Sequence, residues 1–338
     1  MDIVTQGLFG GALAQAVARK EEKKLATFVG IAAGMLADAD FFIRSSQDPL
    51  LNIEYHRHFT HSLMFIPVGA AIACVLLWPF LHRRIKIGRI YLFCLAGYSM
   101  SGILDACTSY GTQLLWPFSS ERVAFNIISI IDPVFSLILL GTLLLGLRLR
   151  TRPVAYGGLA LCVAYLAFGT LQLHRAQAVA ETLATTRGHQ PTKFVVKPTL
   201  ANLVLWRSVY EHDGRFYIDA IRVGLSADAQ IFEGEVVAKF ATHSVFAGLD
   251  PASTLYTDIG RFAQFSDDFV AFDPTQENVL GDIRYSMLPN SAKPLWGIVI
   301  SPAKPQQHAD FRFFRDRSQA VRQTFFNMVL GRCADAVC

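Results

Sequence analysis

The sequence predicts a membrane α-helical bundle of about five to six spans followed by a small soluble α+β domain. Of the 338 residues, 52% are hydrophobic and only 17% are charged, whereas an average soluble domain carries about 25% charged residues. The apolar runs lie before residue 173, and from residue 193 apolar and polar residues alternate as in half-buried strands. We therefore divide the chain into a transmembrane domain (1–173), a linker (174–190) and a soluble α+β domain (191–338).

Six apolar segments are candidates for crossing a bilayer: 3–18, 25–43, 62–81, 90–107, 127–147 and 154–173. A helix needs about 20 apolar residues to span the hydrocarbon, with a range of about 17 to 25. The first segment is short, so it either spans with the shelter of other helices or is re-entrant. It contains no Lys or Arg, which argues against a cleaved signal peptide.

Positive charges in the short loops predict the orientation of the spans. One alternate set of loops carries eleven Lys and Arg residues, and the other set carries only Arg44, Arg57 and Arg122. Because Lys and Arg near span ends are retained in the cytoplasm, the first set is predicted to be cytoplasmic and the soluble domain extracytoplasmic. The net charge of +4 mainly reflects this bias, and no basic stripe with interleaved aromatic residues suggests nucleic-acid binding.

Three polar segments fall on the sparsely charged side and can meet at one face of the bundle. They contain Asp38 and Asp40 after the second span, His56, His58 and His61 before the third, and Asp105 after the fourth. Charged groups at membrane depth are costly and usually face a bundle interior or an aqueous cavity. Imidazole and carboxylate groups bind zinc, and carboxylate-rich sites also suit manganese or magnesium. The pattern therefore favours a divalent metal, zinc or manganese in particular, that activates water for hydrolysis.

Each of these residues also has an ordinary structural explanation. Aspartates near a span end commonly sit at the membrane surface, and His56 or His58 alone would be a solvated interfacial residue. Thr60 or Ser62 could serve only as an N-cap of the third span. The convergence of three histidines within six residues with two acidic loops favours the functional interpretation.

Two further residues allow more than one interpretation. Asp132 precedes Pro133 inside the fifth apolar segment, where it either joins the same site or caps a helix interrupted by the proline. The guanidinium of Arg57 matches the geometry of a phosphate, but an interfacial arginine attracted to lipid headgroups is an equal alternative.

The motifs together resemble the YdjM-like family of bacterial inner-membrane proteins, which are described as membrane-bound metal-dependent hydrolases. The resemblance covers roughly the first half of the chain and rests on the opening Met1-Asp2-Ile3-Val4-Thr5, on Asp38-x-Asp40, on His56-Arg57-x-x-Thr60-His61-Ser62, and on Leu104-Asp105 with Thr108-Ser109-Tyr110-Gly111 and Trp116-Pro117-Phe118. It implies a multi-pass protein of the inner membrane with a periplasmic soluble domain. It also implies a metal held by Asp38, Asp40, His56, His61 and Asp105, with catalytic roles for Asp38, His61 and Asp105.

Two positions depart from the family pattern. Gln6 and Ser101 stand where the family often has histidine, and neither side chain replaces a zinc imidazole ligand well. The site then holds fewer metals, holds a harder metal, or has lost activity. His58 is a possible compensating ligand.

The segment after residue 190 predicts strands at 193–196, 202–210, 215–223, 269–272, 282–287 and 295–300, with helices at 253–265 and 318–330. The segment 232–240 is either a strand or the start of a helix. Asp213-Gly214 predicts a hairpin turn, and Cys333 with Cys338 could close a small disulfide loop outside the cytoplasm. The domain contains no phosphate loop and no serine-nucleophile motif, so it reads as a cover or recruiting module.

The leading hypothesis is a metal-dependent hydrolase that acts on a lipid or lipid-linked phosphoester at the outer face of the inner membrane. The alternative is a non-catalytic structural or partner-binding protein with a degenerate metal site. A transporter is disfavoured, because the polar residues collect at one end of the spans and no internal repeat is apparent.

Overall fold

A computed structural model describes residues 1–224, 228–241 and 249–332. The chain forms two compact units. The first contains Met1–Ile43, Tyr55–Leu171 and Leu200–Asn202, and the second contains Arg44–Glu54, Gln172–Thr199 and the described residues from Leu203 onward. Cys333 and Cys338, for which a disulfide was predicted, lie outside the described residues.

The first unit is helical, as the apolar runs predict. The helices of this part of the chain are α1 (Ile3–Val17), α2 (Lys23–Leu36), α3 (Leu51–Tyr55), α4 (Ile66–Leu81), α5 (Ile87–Tyr98), α6 (Ser101–Ala106), α7 (Pro133–Leu149) and α8 (Arg152–Thr186). Only Tyr55 of α3 belongs to the first unit, and α8 belongs to it up to Leu171. Among the described residues, four segments are long and apolar enough to cross a membrane: Lys20–Phe42, Leu63–Leu81, Ile87–Ala106 and Arg152–Thr186. The predicted bundle is confirmed, and helices α1 and α7 are shorter than a full span.

The predicted span 127–147 begins too early, because α7 starts at Pro133. The carboxylate of Asp132 accepts a hydrogen bond from the backbone N–H of Phe135 at 2.9 Å and caps the helix. Proline suits the first helical position, where its missing N–H would have no partner. Helix α8, in contrast, continues to Thr186 through most of the segment predicted as a linker.

Glycines allow the first helices to pack backbone against backbone. Gly10 of α1, Gly30 of α2 and Gly97 of α5 meet, and a Cβ added at any of the three would overlap a neighbouring carbonyl oxygen. Small residues at helix contacts are the usual means of close approach in membranes. Around this contact, the side chains of Ala33, Ala70 and Phe93 form a buried core.

The second unit contains two antiparallel four-stranded sheets with the orders β1-β2-β3-β4 and β5-β6-β7-β8. The strands are β1 (Lys193–Pro198), β2 (Leu205–His212), β3 (Arg215–Val223), β4 (Ala229–Ala238), β5 (Val270–Asp273), β6 (Gln276–Asp282), β7 (Trp296–Val299) and β8 (Asp310–Phe313). Helices α9 (Thr254–Phe265) and α10 (Gln319–Leu330) complete the unit. The α+β domain predicted from the sequence is therefore confirmed.

Three details of this unit correct the sequence prediction. The segment 282–287 is not a strand, because β6 ends at Asp282 and turns follow it. Strands β6 and β8 were not predicted. Most of the segment 232–240 lies in β4, which ends at Ala238, and it does not start a helix. The predicted hairpin is present, with Asp213 and Gly214 at φ 48° and 68° between β2 and β3. Both central residues of a type I′ turn need positive φ, which is why Asp-Gly suits it.

Candidate functional site

Three short elements of the first unit carry the acidic and histidine residues. Helix α2 tightens into a 3₁₀ segment, Ala37–Phe42, which contains Asp38 and Asp40. A second 3₁₀ turn, Phe59–His61, ends at His61, and α6 presents Asp105 in its last turn. Tight 3₁₀ turns at helix ends redirect the chain within a few residues, so these side chains can converge.

Asp38, His61 and Asp105 form a compact group whose ligand atoms all lie within 4.8 Å of one another. His61 Nε2 lies 2.9 Å from Asp105 Oδ2 and 3.4 Å from Asp38 Oδ1. His61 and Asp105 are buried, and Asp38 is partly exposed. The structure therefore brings together the three residues that the sequence predicted as catalytic.

Asp40 faces the other nitrogen of the same imidazole ring. Its Oδ2 lies 3.1 Å from His61 Nδ1 and accepts hydrogen bonds from the Thr60 hydroxyl and the Arg57 backbone N–H, both at 2.8 Å. Its Oδ1 lies 3.0 Å from His56 Nδ1. Asp40 and His56 thus sit beside the three-residue group, and Asp40 fixes the orientation of the His61 ring.

Arg57 is buried against Asp105 rather than exposed to the membrane surface. Its Nε lies 3.2 Å from Asp105 Oδ2, its Nη1 donates to the Thr108 hydroxyl at 2.9 Å, and its guanidinium lies 5.1 Å from the Tyr110 ring centre. A guanidinium held in this way offsets the charge of Asp105. Neither a phosphate-binding role nor an interfacial role fits this placement.

Gln6 and Ser101, the two departures from the family pattern, differ in position. Gln6 Nε2 donates to Asp105 Oδ2 at 3.0 Å and to Asp38 Oδ1 at 3.4 Å, so Gln6 lies at the site. The hydroxyl of Ser101 donates to the Gly34 carbonyl at 3.4 Å and takes no part in the group. The amino group of Met1 also contacts Asp105.

Two other candidates from the sequence lie apart from the group. Asp132 caps α7 and accepts a hydrogen bond from the hydroxyl of Tyr165 at 3.0 Å, which decides between its two interpretations. The ring of His58 packs against aromatic side chains, with ring centres 5.3 Å from Tyr55 and 5.6 Å from Trp116.

Thr60 has a role that sequence reasoning missed. It was considered only as a possible helix cap, whereas its hydroxyl binds Asp40 and its carbonyl accepts from the Tyr98 hydroxyl at 2.7 Å. Ser62 takes the capping role, because its hydroxyl accepts from the Phe65 N–H. Thr108 was missed too, although its place in the Thr108-Ser109-Tyr110-Gly111 motif was a signal for it.

The charges around His61 show that this place suits a cation. Burial opposes protonation of the imidazole, but the carboxylates of Asp105, Asp38 and Asp40 outweigh that effect and hold its pKa well above the ordinary value. Burial also lowers the pKa of the Met1 amino group to about 6. His61 Nε2 is buried and, despite its short distance to Asp105, makes no hydrogen bond of acceptable angle. Two carboxylates and one such imidazole nitrogen form a donor set that fits a divalent metal.

Two curated proteins are similar to part of this chain. One hundred residues are 37% identical to the inner membrane protein YbcI of Escherichia coli (strain K12), over 28% of this chain and 55% of that protein. A further match, 27% identical over 103 residues, covers 30% of this chain and 31% of the uncharacterized protein YfhP of Bacillus subtilis (strain 168). The chain thus spans about half or less of the length of these relatives. No solved structure matches it significantly. The YdjM inner membrane protein family matches residues 1–176, which is just over half of the chain, and the chain belongs to that family.

Proposed function

We propose that this protein is a membrane-bound metal-dependent hydrolase that holds one divalent cation on Asp38, His61 and Asp105. The observation that carries the proposal is the buried His61 Nε2, which faces two carboxylates without a hydrogen bond of its own. Three protein ligands with a position left open are the usual arrangement of a catalytic zinc site, and two carboxylates also suit manganese. Bound there, the cation would supply Lewis-acid activation of a water and of an ester oxygen.

The surrounding residues would prepare these three ligands. Asp40 lies 3.1 Å from His61 Nδ1, and a carboxylate at that position selects the tautomer whose Nε2 is free to bind a metal. Arg57 Nε lies 3.2 Å from Asp105 Oδ2, the same oxygen that faces His61 Nε2. Ser101 contributes no ligand, and Gln6 brings an amide rather than an imidazole, so the donor set suits one metal rather than two.

The proposed substrate is a lipid or a lipid-linked carboxylic or phosphoric ester. Exposed apolar side chains adjoin the site in the chain: Phe42 follows Asp40 by two residues and is 82% exposed, and Phe118 in the third polar segment is 80% exposed. A substrate with acyl chains could reach such residues from the bilayer. The charge bias of the loops supports a site at the outer face of the inner membrane and a periplasmic second unit.

A structural role is the second candidate, and one observation favours it. Asp40 contacts four groups of the His56–His61 segment, and Arg57 already neutralises Asp105. A buried polar network of this kind can hold a bundle together without metal. This reading predicts a metal-free protein in which loss of any member lowers stability.

The test is metal content, measured by inductively coupled plasma mass spectrometry on protein purified in detergent without chelators. We expect about one zinc or manganese per chain, lost in His61→Ala and in Asp105→Asn. Matched controls are His82→Ala, at the end of α4, and Asp310→Asn in strand β8; both should retain the metal. A folded parent that stays metal-free after reloading with zinc and with manganese would overturn the proposal and support the structural role.

Metal content alone does not establish hydrolysis, so activity needs its own experiment. The loaded protein should release product from lipid esters or lipid-linked phosphoesters presented in mixed micelles. Asp38→Asn, which keeps the shape of the side chain, should lower the rate at least about a hundredfold if the carboxylate is a ligand. Equal rates in the parent and in this variant would assign the activity to a contaminant.

A further inference from the structure

Arg261 of helix α9 binds the loop formed by residues 44–54, which belongs to the same unit. Its guanidinium makes paired contacts with two loop carboxylates: Nη1 and Nη2 donate to Asp48 at 3.2 and 2.9 Å, and Nε and Nη2 donate to Glu54 at 2.6 and 2.8 Å. Paired contacts between arginine and carboxylates combine charge with a fixed geometry.

The guanidinium is itself held in place by its own helix. Nη1 donates to Asp258 at 2.9 Å, and the buried Asp258 also receives the Ala309 N–H at 2.9 Å and contacts His308. Ile259 and Phe262 anchor α9 in the core of its unit. Arg261 therefore lies at a fixed position on a packed helix, from which its guanidinium contacts Asp48, Glu54 and Asp258.

The loop connects two halves of the candidate site along the chain. Just before the loop, the backbone N–H of Ile43 donates a hydrogen bond to the carbonyl of Asp40 at 2.9 Å. Just after the loop, His56 lies two residues beyond Glu54. The chain leaves the first unit after Ile43 and re-enters it at Tyr55. Whatever holds residues 44–54 therefore restrains both the segment with Asp38 and Asp40 and the segment with His56 and His61.

We infer that Arg261 is a positioning residue: by holding residues 44–54, it restrains the two ligand-bearing segments that this stretch of chain joins. The inference rests on the proposed function for its metal readout but not for its structural readout. Removal of the guanidinium would break the paired contacts that tie Asp48 and Glu54 to α9. The loop would then lose its charge-assisted attachment to the packed helix.

The experiment compares Arg261→Ala and Arg261→Lys with the parent, in the full chain in detergent. Arg312→Ala is the matched control, because Arg312 pairs with Asp310 on an exposed strand of the same unit. Hydrogen–deuterium exchange of peptides from residues 44–62 is measured without metal, and zinc affinity is measured separately. We expect Arg261→Ala to accelerate exchange and to weaken zinc binding, each about tenfold, since apparent affinity falls with the fraction of competent molecules. Arg261→Lys should lie between, because lysine lacks the paired geometry.

A double-mutant cycle separates positioning from general stability. Glu54→Gln alone should loosen the loop, and adding it to Arg261→Ala should cause little further loss, because both changes remove the same contact. Additive effects, or an Arg261→Ala protein whose exchange and zinc affinity stay within about twofold of the parent, would overturn the inference. Faster exchange confined to 44–54, with 55–62 unchanged, would also overturn it. A parent that binds no zinc would refute the proposed function, while the exchange results would still decide the role of Arg261.

Discussion

Gly102 of α6 lies against the backbone of His61, so the variant Gly102→Ala would displace His61 while leaving all the proposed metal-binding side chains unchanged. A Cβ added at Gly102 would overlap the His61 carbonyl oxygen and lie 3.0 Å from its carbonyl carbon and 3.1 Å from Leu114 Cδ2. A backbone oxygen cannot rotate away as a side chain can. The two segments would have to separate by roughly 1 Å to restore an ordinary contact.

Two opposing effects set the expected change in stability. Alanine favours a helix over glycine by up to about 1 kcal/mol, whereas inserting a methyl group into a packed contact costs about 1–3 kcal/mol. With the full helix preference, the net destabilisation is then about 0–2 kcal/mol, and it is about 1–3 kcal/mol relative to a glycine-to-alanine change in a helix without such a contact. The functional effect should be larger, because a displacement of about 1 Å at a catalytic group can cost about a hundredfold in rate.

The assay compares thermal unfolding midpoints in one detergent, together with zinc content and hydrolysis rate. Gly141→Ala in α7 is the matched control, since no described atom lies within 4 Å of the added Cβ, and it should be neutral or slightly stabilising. A Gly102→Ala protein that matches Gly141→Ala in midpoint and retains full zinc would refute the close contact between α6 and His61.

Three further predictions concern other parts of the molecule. Asp132→Ala should destabilise the protein by about 2 kcal/mol, because it removes a helix cap and the acceptor for Tyr165, yet it should leave zinc content unchanged; zinc loss would return Asp132 to the site. Lys197→Met should raise the unfolding midpoint at pH 7. Within the described residues, the Lys197 ammonium makes no hydrogen bond or ion pair and lies 3.4 Å from the Tyr285 ring centre, and burial, with two nearby arginines, holds its pKa well below the ordinary value. Between that lowered pKa and the ordinary lysine pKa of about 10.4, the unfolded chain binds a proton that the folded chain lacks, so parent stability rises with pH in this window. The advantage of the variant should fade over the same window, and a constant difference would contradict this assignment. Finally, removal of metal by a chelator should lower the free energy of unfolding of the parent by about 2.7 kcal/mol relative to a free metal concentration about 100 times the Kd. The parent midpoint should fall accordingly, and that of His61→Ala should not change.

The sequence predicts the meeting of Asp38, His61 and Asp105 because each lies at the end of an apolar segment on the same predicted side. Such a pattern specifies position along the membrane normal, but it does not specify which atom faces which. Asp40 lies at Nδ1 of the imidazole, whereas the other two carboxylates lie near Nε2. This arrangement depends on how the 3₁₀ turn rotates Asp40 away from Asp38. The sequence did not predict the burial of Arg57 for a related reason. A buried guanidinium is favourable here because it pairs with the buried carboxylate of Asp105, and that pairing cannot be read from the local sequence.

Differences in the fold have similarly local causes. Helix α8 continues past residue 173 because Ala176, Ala180 and Ala184 keep a helical spacing and are buried, although polar residues also lie between them. The helical spacing of these alanines could have predicted that the helix extends into the segment interpreted as a linker. Strand β8 has only four residues, too few for an alternating pattern to stand out, and it is defined by pairing with β7. Pairing between distant segments is information that a local pattern does not contain.

The close contact of Gly10, Gly30 and Gly97 has a consequence for how the protein is made. Helix α1 has 15 residues and buries Gln6 and Gln15, so it would be a poor membrane segment on its own. Gln15 finds its partners on later helices, donating to Thr27 at 2.8 Å and to the Leu143 carbonyl at 3.2 Å. During synthesis, α1 emerges long before α5 and α7. We therefore expect α1 to reach its final packing only after Gly97 of α5 and Leu143 of α7 have been inserted.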